Sequence, residues 1–177
     1  MTNWITRLST ADEQLEFNHK VASLAQSIGF QELNYMALEN LSNNYSRRAN
    51  LIESMTTPVQ NEDTVVIQFP LFTHLNFQAE FINRLKNVAN VKLVAFITNI
   101  PTYENNKEYD KETDFWLSLL RKFDLLICPT SEMVNKLNND DVSVRKTILI
   151  ENTEDYSFGV QYALMNIQNI IELNNTL

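Results

Sequence analysis

Apolar strand-like segments alternate with amphipathic helical segments along the whole chain, which nevertheless contains only two glycines. This alternation is typical of an α/β protein whose helices cover both faces of a doubly wound, mainly parallel sheet. Nucleotide-binding sheets of this kind commonly carry a glycine-rich turn after a strand, but the chain has neither a G-x-G-x-x-G nor a G-x-x-x-x-G-K-[ST] motif. The sequence therefore predicts a Rossmann-like fold without the usual phosphate-binding loop.

Length and charge narrow the class of protein further. The chain of 177 residues is 44% hydrophobic, as expected of one globular domain over residues 1–177. Its net charge of −8 disfavours nucleic acid as a partner, because an acidic surface repels a phosphate backbone. The basic pairs Arg47–Arg48 and Arg121–Lys122 are isolated, and we expect them on solvated helix faces.

Targeting signals and cysteine usage point to the cytoplasm. The longest apolar runs, such as residues 125–128, are too short to span a membrane. The N-terminal residues lack the basic and apolar regions of a signal peptide. Cys128 is the single cysteine, so no intramolecular disulfide can form, and its apolar strand favours a buried, unreactive thiol.

Hydrophobic periodicity predicts about six strands with a helix after each. The predicted strands cover residues 3–6, 32–36, 64–68, 92–97, 125–128 and 147–150. The predicted helices cover residues 11–28, 43–55, 76–89 and 110–122, a segment opened by residues 129–132, and residues 156–173. Gly29 is expected to end the first helix in a left-handed conformation. Right-handed crossovers favour the strand order 3-2-1-4-5-6.

In such a sheet, ligands bind beyond the carboxyl ends of the strands, next to the switch in strand order. With the order above, the switch lies between the first and fourth strands. Four loops are expected there, at residues 6–10, 68–75, 98–109 and 129–132. The candidate substrate-binding side chains on them are Arg7, Ser9, Thr10, Gln68, Phe72, His74, Thr98, Asn99, Thr130 and Ser131.

Each candidate has a structural alternative. His74 can contact a substrate hydroxyl or carry a proton, or it is a loop histidine without a role. Thr98 and Asn99 suit sugar hydroxyls because their side chains donate and accept, but they can also simply end a strand. Arg7 can meet an anion or pair with a carboxylate, and Thr130 or Ser131 is a good helix N-cap. No catalytic residue, metal site or cofactor can be assigned from the pattern.

Several segments resemble one bacterial family. The segments are Trp-Ile-Thr at 4–6, SIGFQEL at 27–33, TVVIQFP at 64–70, KLVAFI at 92–97, FDLLICPTSEMVNKL at 123–137 and VRKTI at 144–148. In order and spacing they resemble the glucosyltransferases of accessory-secretion gene clusters, once labelled nucleotide sugar synthetase-like. These are similar to GT-B enzymes, which have two Rossmann-like domains with the active site between them.

The resemblance implies hexose transfer from UDP-glucose to N-acetylglucosamine on serine-rich adhesins. It covers residues 1–150, the acceptor-side domain, whereas the domain that supplies most UDP-sugar contacts in this architecture has no counterpart in these 177 residues. Family members tend to carry His-Asp where this chain has Thr98-Asn99. We therefore expect a half-enzyme that is inactive by itself and completed by a partner. The alternative is a non-catalytic module that binds a glycan or a glycosyltransferase.

The last helix and two loops predict an interface. The segment 156–173 corresponds to a GT-B closing helix or to an ordinary sixth helix of the sheet. Its apolar residues exceed what one sheet face needs: Tyr162, Met165, Ile167, Ile170 and Ile171. Loops 70–72 and 100–103 add apolar groups on the open side of the sheet. A homodimer, or a complex with another glycosyltransferase subunit, would cover such surface.

Overall fold

The structure is a computed structural model that describes residues 1–9, 16–36, 44–100, 111–142, 147–149 and 156–175. In these ranges a six-stranded parallel sheet is flanked by helices on both faces, which confirms the predicted α/β, Rossmann-like class. The strands are β1 (Asn3–Leu8), β2 (Gln31–Tyr35), β3 (Thr64–Phe69), β4 (Lys92–Ile97), β5 (Leu125–Cys128) and β6 (Thr147–Leu149). The helices are α1 (Glu16–Ser27), α2 (Tyr45–Thr56), α3 (Leu75–Lys86), α4 (Lys111–Leu120), α5 (Ser131–Asn139) and α6 (Tyr156–Asn175).

The predicted strand order is wrong. The observed order is β2-β1-β3-β4-β5-β6, so β3 lies beside β1 and β2 is an edge strand. Burial explains the choice, because every residue of β3 is buried while β2 has solvated positions at Gln31, Glu32 and Asn34. A strand covered on both faces belongs inside the sheet, and one with solvated positions suits an edge. The switch in strand order therefore lies between β1 and β3, not between the first and fourth strands.

Crossover direction decides which face each helix covers. The connection from β1 to β2 runs one way along the sheet and the later connections run the other way, so right-handed crossovers place α1 opposite α2 to α5. Two buried clusters reflect this. The larger cluster lies beneath α2 to α5 and includes Phe77, Phe81 and Trp116. The smaller one lies beneath α1 and α6 and includes Val21, Val160 and Leu164.

Helix α6 returns across the α1 face toward the amino ends of the strands. Gln168 Nε2 donates to Asn3 Oδ1 at 2.7 Å and to Thr64 Oγ1 at 3.0 Å, which joins the starts of β1 and β3. Ile167 is buried and Ile170 packs partly against the same cluster, so neither adds to the exposed surface that the sequence predicts. Tyr162 and Met165 are exposed, as predicted.

Several local predictions are settled by burial and backbone conformation. Cys128 is buried, and burial raises the pKa of its thiol to about 12, so the thiol is unreactive at neutral pH. Gly29 has φ +97° just beyond α1, as its predicted capping role requires. Arg48, expected to be solvated, is buried, because its guanidinium makes a bidentate ion pair with Glu80. None of the helices in the described part of the chain has the length and apolarity of a bilayer span.

Candidate functional site

Strands β1 and β3 stop pairing before their carboxyl ends, at the switch point, where sheets of this kind form a ligand-binding crevice. Their paired register stops at Ile5↔Val66, although β1 continues to Leu8 and β3 to Phe69. On the outer sides the pairing continues, since β1 follows β2 up to Leu8↔Tyr35. The switch point is therefore the expected position of a ligand site in this sheet.

Side chains replace the missing ladder bonds between these strands. The Gln68 backbone N–H donates to Thr6 Oγ1 at 2.9 Å, and Gln68 Nε2 donates to the Thr6 carbonyl at 2.8 Å. Gln68 Nε2 also donates to the Asn18 carbonyl in α1 at 3.0 Å. Gln68 is 2% exposed, and its Oε1 is buried without a hydrogen-bond partner among the described residues. An unpaired buried acceptor of this kind is costly, and it leaves a polar position at the floor of the crevice.

The guanidinium of Arg7 contacts two other side chains of the protein. Its guanidinium forms an ion pair with Glu32 on β2, and its Nε donates to His19 Nδ1 at 3.3 Å. Of the two alternatives for Arg7, the carboxylate partner is the one present. The positive charge nearest the crevice is therefore largely neutralised, which disfavours Arg7 as an anion-binding group.

The loop between β3 and α3 is fixed by two buried side chains. Gln78 accepts from the Leu71 N–H at 2.9 Å and donates from Nε2 to the Thr73 carbonyl at 3.2 Å. The Tyr35 hydroxyl accepts from the Phe72 N–H at 3.3 Å, reaching from β2 past the end of β1. Burial raises the pKa of Tyr35 to about 12, so it stays neutral across the physiological range. Phe72 remains exposed at 43% on this ordered loop.

The other candidate residues lie along the same edge. His74 is the N-cap of α3, where its Nδ1 accepts from the Asn76 N–H at 3.3 Å. Thr98 donates to the Phe69 carbonyl from its N–H at 2.8 Å and from its hydroxyl at 3.1 Å, and so it ends β4. Asn99, which follows it, is partly buried.

The remaining candidates lie at the outer parts of the edge or beyond the described residues. Ser9 is exposed, and its N–H donates to the Tyr35 carbonyl at 2.8 Å. Thr130 is the N-cap of α5, since its hydroxyl accepts from the Met133 N–H at 3.2 Å, and Ser131 is exposed beside it. Thr10 lies outside the described residues. Of the loop apolar groups, Leu71 and Ile100 are buried rather than exposed, and residues 101–103 are also outside the described ranges.

The described loop segments at this edge carry no charged side chain. The described segments that follow β1 to β5 are residues 9, 36, 70–74, 98–100 and 129–131, and none contains Lys or Arg. Within the described ranges, no three His, Cys, Asp or Glu side chains converge as a metal site. Hydroxyl, amide, imidazole and aromatic groups suit a neutral, hydroxyl-rich ligand better than a phosphate.

The sequence analysis did not single out Thr6, Tyr35 or Gln78, which all shape this site. Thr6 bridges the separated strands together with Gln68, while Tyr35 and Gln78 fix the loop that carries Phe72. A signal was available for Gln78, which is the polar exception on the apolar face of α3 between Phe77 and Phe81. Tyr35 and Thr6 gave no such signal, because their partners depend on the order of the strands.

Comparison with known proteins places this arrangement in a family. Residues 2–152 match the family described as glucosyltransferase 3-like, N-terminal domain. "Glucosyltransferase 3" of Streptococcus gordonii is 27% identical over 140 residues, which is 79% of this chain and 41% of that protein. "Glucosyltransferase 3" of Streptococcus parasanguinis is 24% identical over 130 residues, which is 73% of this chain and 38% of that protein. The chain thus spans about two fifths of the curated relatives it matches, and it belongs to the family of glucosyltransferase 3-like N-terminal domains.

Proposed function

We propose that the chain is the acceptor side of a glycosyltransferase. It holds a protein-linked glycan at the crevice between β1 and β3, while a partner supplies the donor domain for hexose transfer from a nucleotide sugar. The observation that carries this proposal is the family match over residues 2–152. In this proposal residues 1–177 form one domain located in the cytoplasm, and α6 is a candidate closing helix.

The chemistry of the described edge supports the acceptor role over the donor role. A nucleotide sugar carries two phosphates, which are usually held by helix N-termini, glycine-rich turns or basic side chains. The described segments after β1 to β5 contain no basic side chain, and Arg7 is paired with Glu32. A glycan, by contrast, offers hydroxyls that match Gln68, His74, Thr98 and Asn99.

The second candidate is a non-catalytic module that binds a glycan or a glycosyltransferase partner. The feature that favours it is Thr98-Asn99, which stands where the resembling enzymes tend to carry His-Asp. Neither side chain is a general base near neutral pH, since hydroxyl and amide groups do not titrate there. Function is set by such site residues rather than by the fold.

We expect the pure 177-residue chain to bind an N-acetylglucosaminide, to bind UDP-glucose far more weakly, and to transfer no glucose. Calorimetry with each ligand measures the two affinities. Incubation of the chain with UDP-glucose and a GlcNAc-bearing peptide measures glucose transfer. Restoration of transfer on adding a donor-binding subunit would favour the half-enzyme, and acceptor binding without any restored transfer would favour the module. Robust turnover by the pure chain would contradict both.

The exposed face of α6 supports a homodimer as part of this proposal. Phe158, Tyr162 and Met165 are 62%, 59% and 64% exposed, at the spacing of one helix stripe. The rings of Phe158 and Tyr162 stack with centroids 6.5 Å apart. The sequence of α6 contains one charged residue, Glu172, in a chain of net charge −8. Two copies of an acidic chain can meet on this stripe without opposing like charges, so we propose a second copy as its occupant.

Tyr162→Glu is expected to abolish self-association, because it places a carboxylate in the stripe of each copy. Light scattering at micromolar concentration should give a mass above that of one 20.6 kDa chain for the unmodified protein and the monomer mass for the variant. Tyr45→Glu is the matched control, since Tyr45 is 68% exposed at the start of α2. A mass of 20.6 kDa for the unmodified chain, unchanged on concentrating, would contradict the homodimer.

A further inference from the structure

Apart from Met1, the exposed large hydrophobic side chains of the described structure form two groups. One is the α6 stripe, and the other surrounds the carboxyl ends of β1, β2 and β3. The second group consists of Phe17 in the first turn of α1, Met36 after β2, Tyr45 at the start of α2, and Phe72 after β3, at 39%, 44%, 68% and 43% exposure. Helices that follow parallel strands begin at the carboxyl edge of the sheet, so all four lie on the side where the crevice opens. Aromatic groups around a polar cleft are typical of a ligand site.

Phe72 lies on a loop, and side-chain hydrogen bonds from outside that stretch of the loop hold its backbone in place. Hydrogen bonds from Gln78 fix the residues on either side of it, and the Tyr35 hydroxyl fixes its own N–H. Gln78 and Tyr35 are only 1% and 2% exposed. Two buried polar side chains thus form hydrogen bonds to a loop whose aromatic side chain is exposed to solvent. Such an arrangement lowers the entropy cost of binding, since the backbone that carries the ring is fixed before a ligand arrives.

Polar groups accompany the ring on this loop. Because His74 Nδ1 accepts from the Asn76 N–H, a neutral imidazole carries its proton on Nε2, which has no partner among the described residues. His74 is exposed, so this donor is available to a ligand. Between the two residues, the Thr73 hydroxyl is buried and has no hydrogen-bond partner in the described part of the chain. An aromatic face and a free N–H donor, two residues apart on a fixed backbone, match the alternation of C–H faces and hydroxyl edges on a pyranose ring.

We propose that Phe72 is the stacking platform for one pyranose ring of the glycan acceptor and that His74 Nε2–H donates to a hydroxyl of the same sugar. This inference rests on the proposed acceptor function. The C–H groups of one sugar face carry partial positive charge and pack on the negative face of the Phe72 ring. Phe72 and His74 thereby select a hexose by the orientation of its ring and hydroxyls, and they take no part in bond breaking.

The test is calorimetric titration of the full chain with the methyl β-glycoside of N-acetylglucosamine and, separately, with UDP. Phe72→Leu removes the aromatic face but keeps apolar volume, and we expect it to weaken glycoside binding about fivefold to tenfold. Phe72→Tyr keeps the ring and should bind like the unmodified chain.

The outcomes separate this inference from the proposed function. Equal glycoside affinities of the unmodified chain and Phe72→Leu would overturn the proposed stacking role of Phe72 but would not contradict the proposed acceptor function. Loss of UDP binding in Phe72→Leu, with glycoside binding intact, would overturn it in favour of a nucleobase platform. No glycoside binding by the unmodified chain at millimolar concentration would overturn the acceptor function itself, and the platform with it.

Discussion

Asp63→Asn is expected to lower the free energy of unfolding by about 3 kcal/mol at neutral pH, because one buried carboxylate accepts three hydrogen bonds. Asp63 Oδ1 accepts from the Thr2 N–H at 2.6 Å, and Oδ2 accepts from Trp4 Nε1 at 2.8 Å and from the Gln60 N–H at 2.9 Å. Asp63 is 2% exposed, just before β3. An amide in its place turns an N–H₂ group toward donors, so at least one of them loses its acceptor.

The pH dependence of stability should identify the same carboxylate. Burial acts to raise the pKa of Asp63, but hydrogen bonds from Trp4, Gln60 and Thr2 outweigh it and hold the pKa below its ordinary value. A group whose folded-state pKa is lowered contributes stability above its unfolded pKa, about 3.9, and that stability is lost as the pH falls toward the folded value. The difference in unfolding free energy between the unmodified chain and Asp63→Asn should therefore shrink below about pH 4. Urea denaturation at pH 7 and pH 3 measures it.

Asp124→Asn provides the control for this substitution. Asp124 accepts one hydrogen bond from a backbone group, the Leu93 N–H at 2.8 Å, and it forms an ion pair with Lys86. Its side chain is 33% exposed. Because water can replace much of what is lost there, the effect should be well below that of Asp63→Asn. Equal effects of the two substitutions would show that the Asp63 hydrogen bonds add nothing beyond an exposed carboxylate.

Arg48→Met is expected to lower the melting temperature several times more than Arg84→Met, although both arginines make the same kind of contact between α2 and α3. Arg48 pairs with Glu80 through two bonds of 2.8 and 2.7 Å, and Arg84 pairs with Glu53 through two bonds of 2.6 and 2.8 Å. The side chain of Arg48 is 9% exposed, whereas that of Arg84 is 34% exposed. Loss of Arg48 removes a buried cation between the two helices and leaves the Glu80 carboxylate, whose side chain is 26% exposed, without its partner.

Thermal unfolding followed by circular dichroism distinguishes these variants. The double variant Arg48→Met, Glu80→Met should recover part of the loss, because it also removes the unpaired carboxylate. Equal changes for Arg48→Met and Arg84→Met would contradict the argument from burial, since the two pairs share their geometry and the helices they join.

The candidate site was only partly predictable, because its residues are adjacent in space and not in sequence. The rule that ligands bind beyond the carboxyl ends of parallel strands nominated the segments carrying Gln68, Phe72 and His74, and binding by them stays a prediction. The pattern did not show that Arg7 is paired with Glu32 or that Tyr35 holds the Phe72 backbone. Those contacts join β2 to β1 and to the loop after β3, so they depend on which strands are neighbours.

The sequence by itself determined the α/β class, the approximate positions of the strands and helices, and the family. The class and the element positions follow from local hydrophobic periodicity, and the family follows from the order and spacing of short segments that resemble it. It did not determine the order of the strands, since the pattern of each strand records how much of it is buried but not which neighbour buries it. Tertiary structure decided that β3 lies beside β1, where the fully buried β3 gains a strand on each side and the partly solvated β2 takes the edge. That placement moved the switch point to the β1–β3 gap, and with it the crevice that Thr6 and Gln68 bridge.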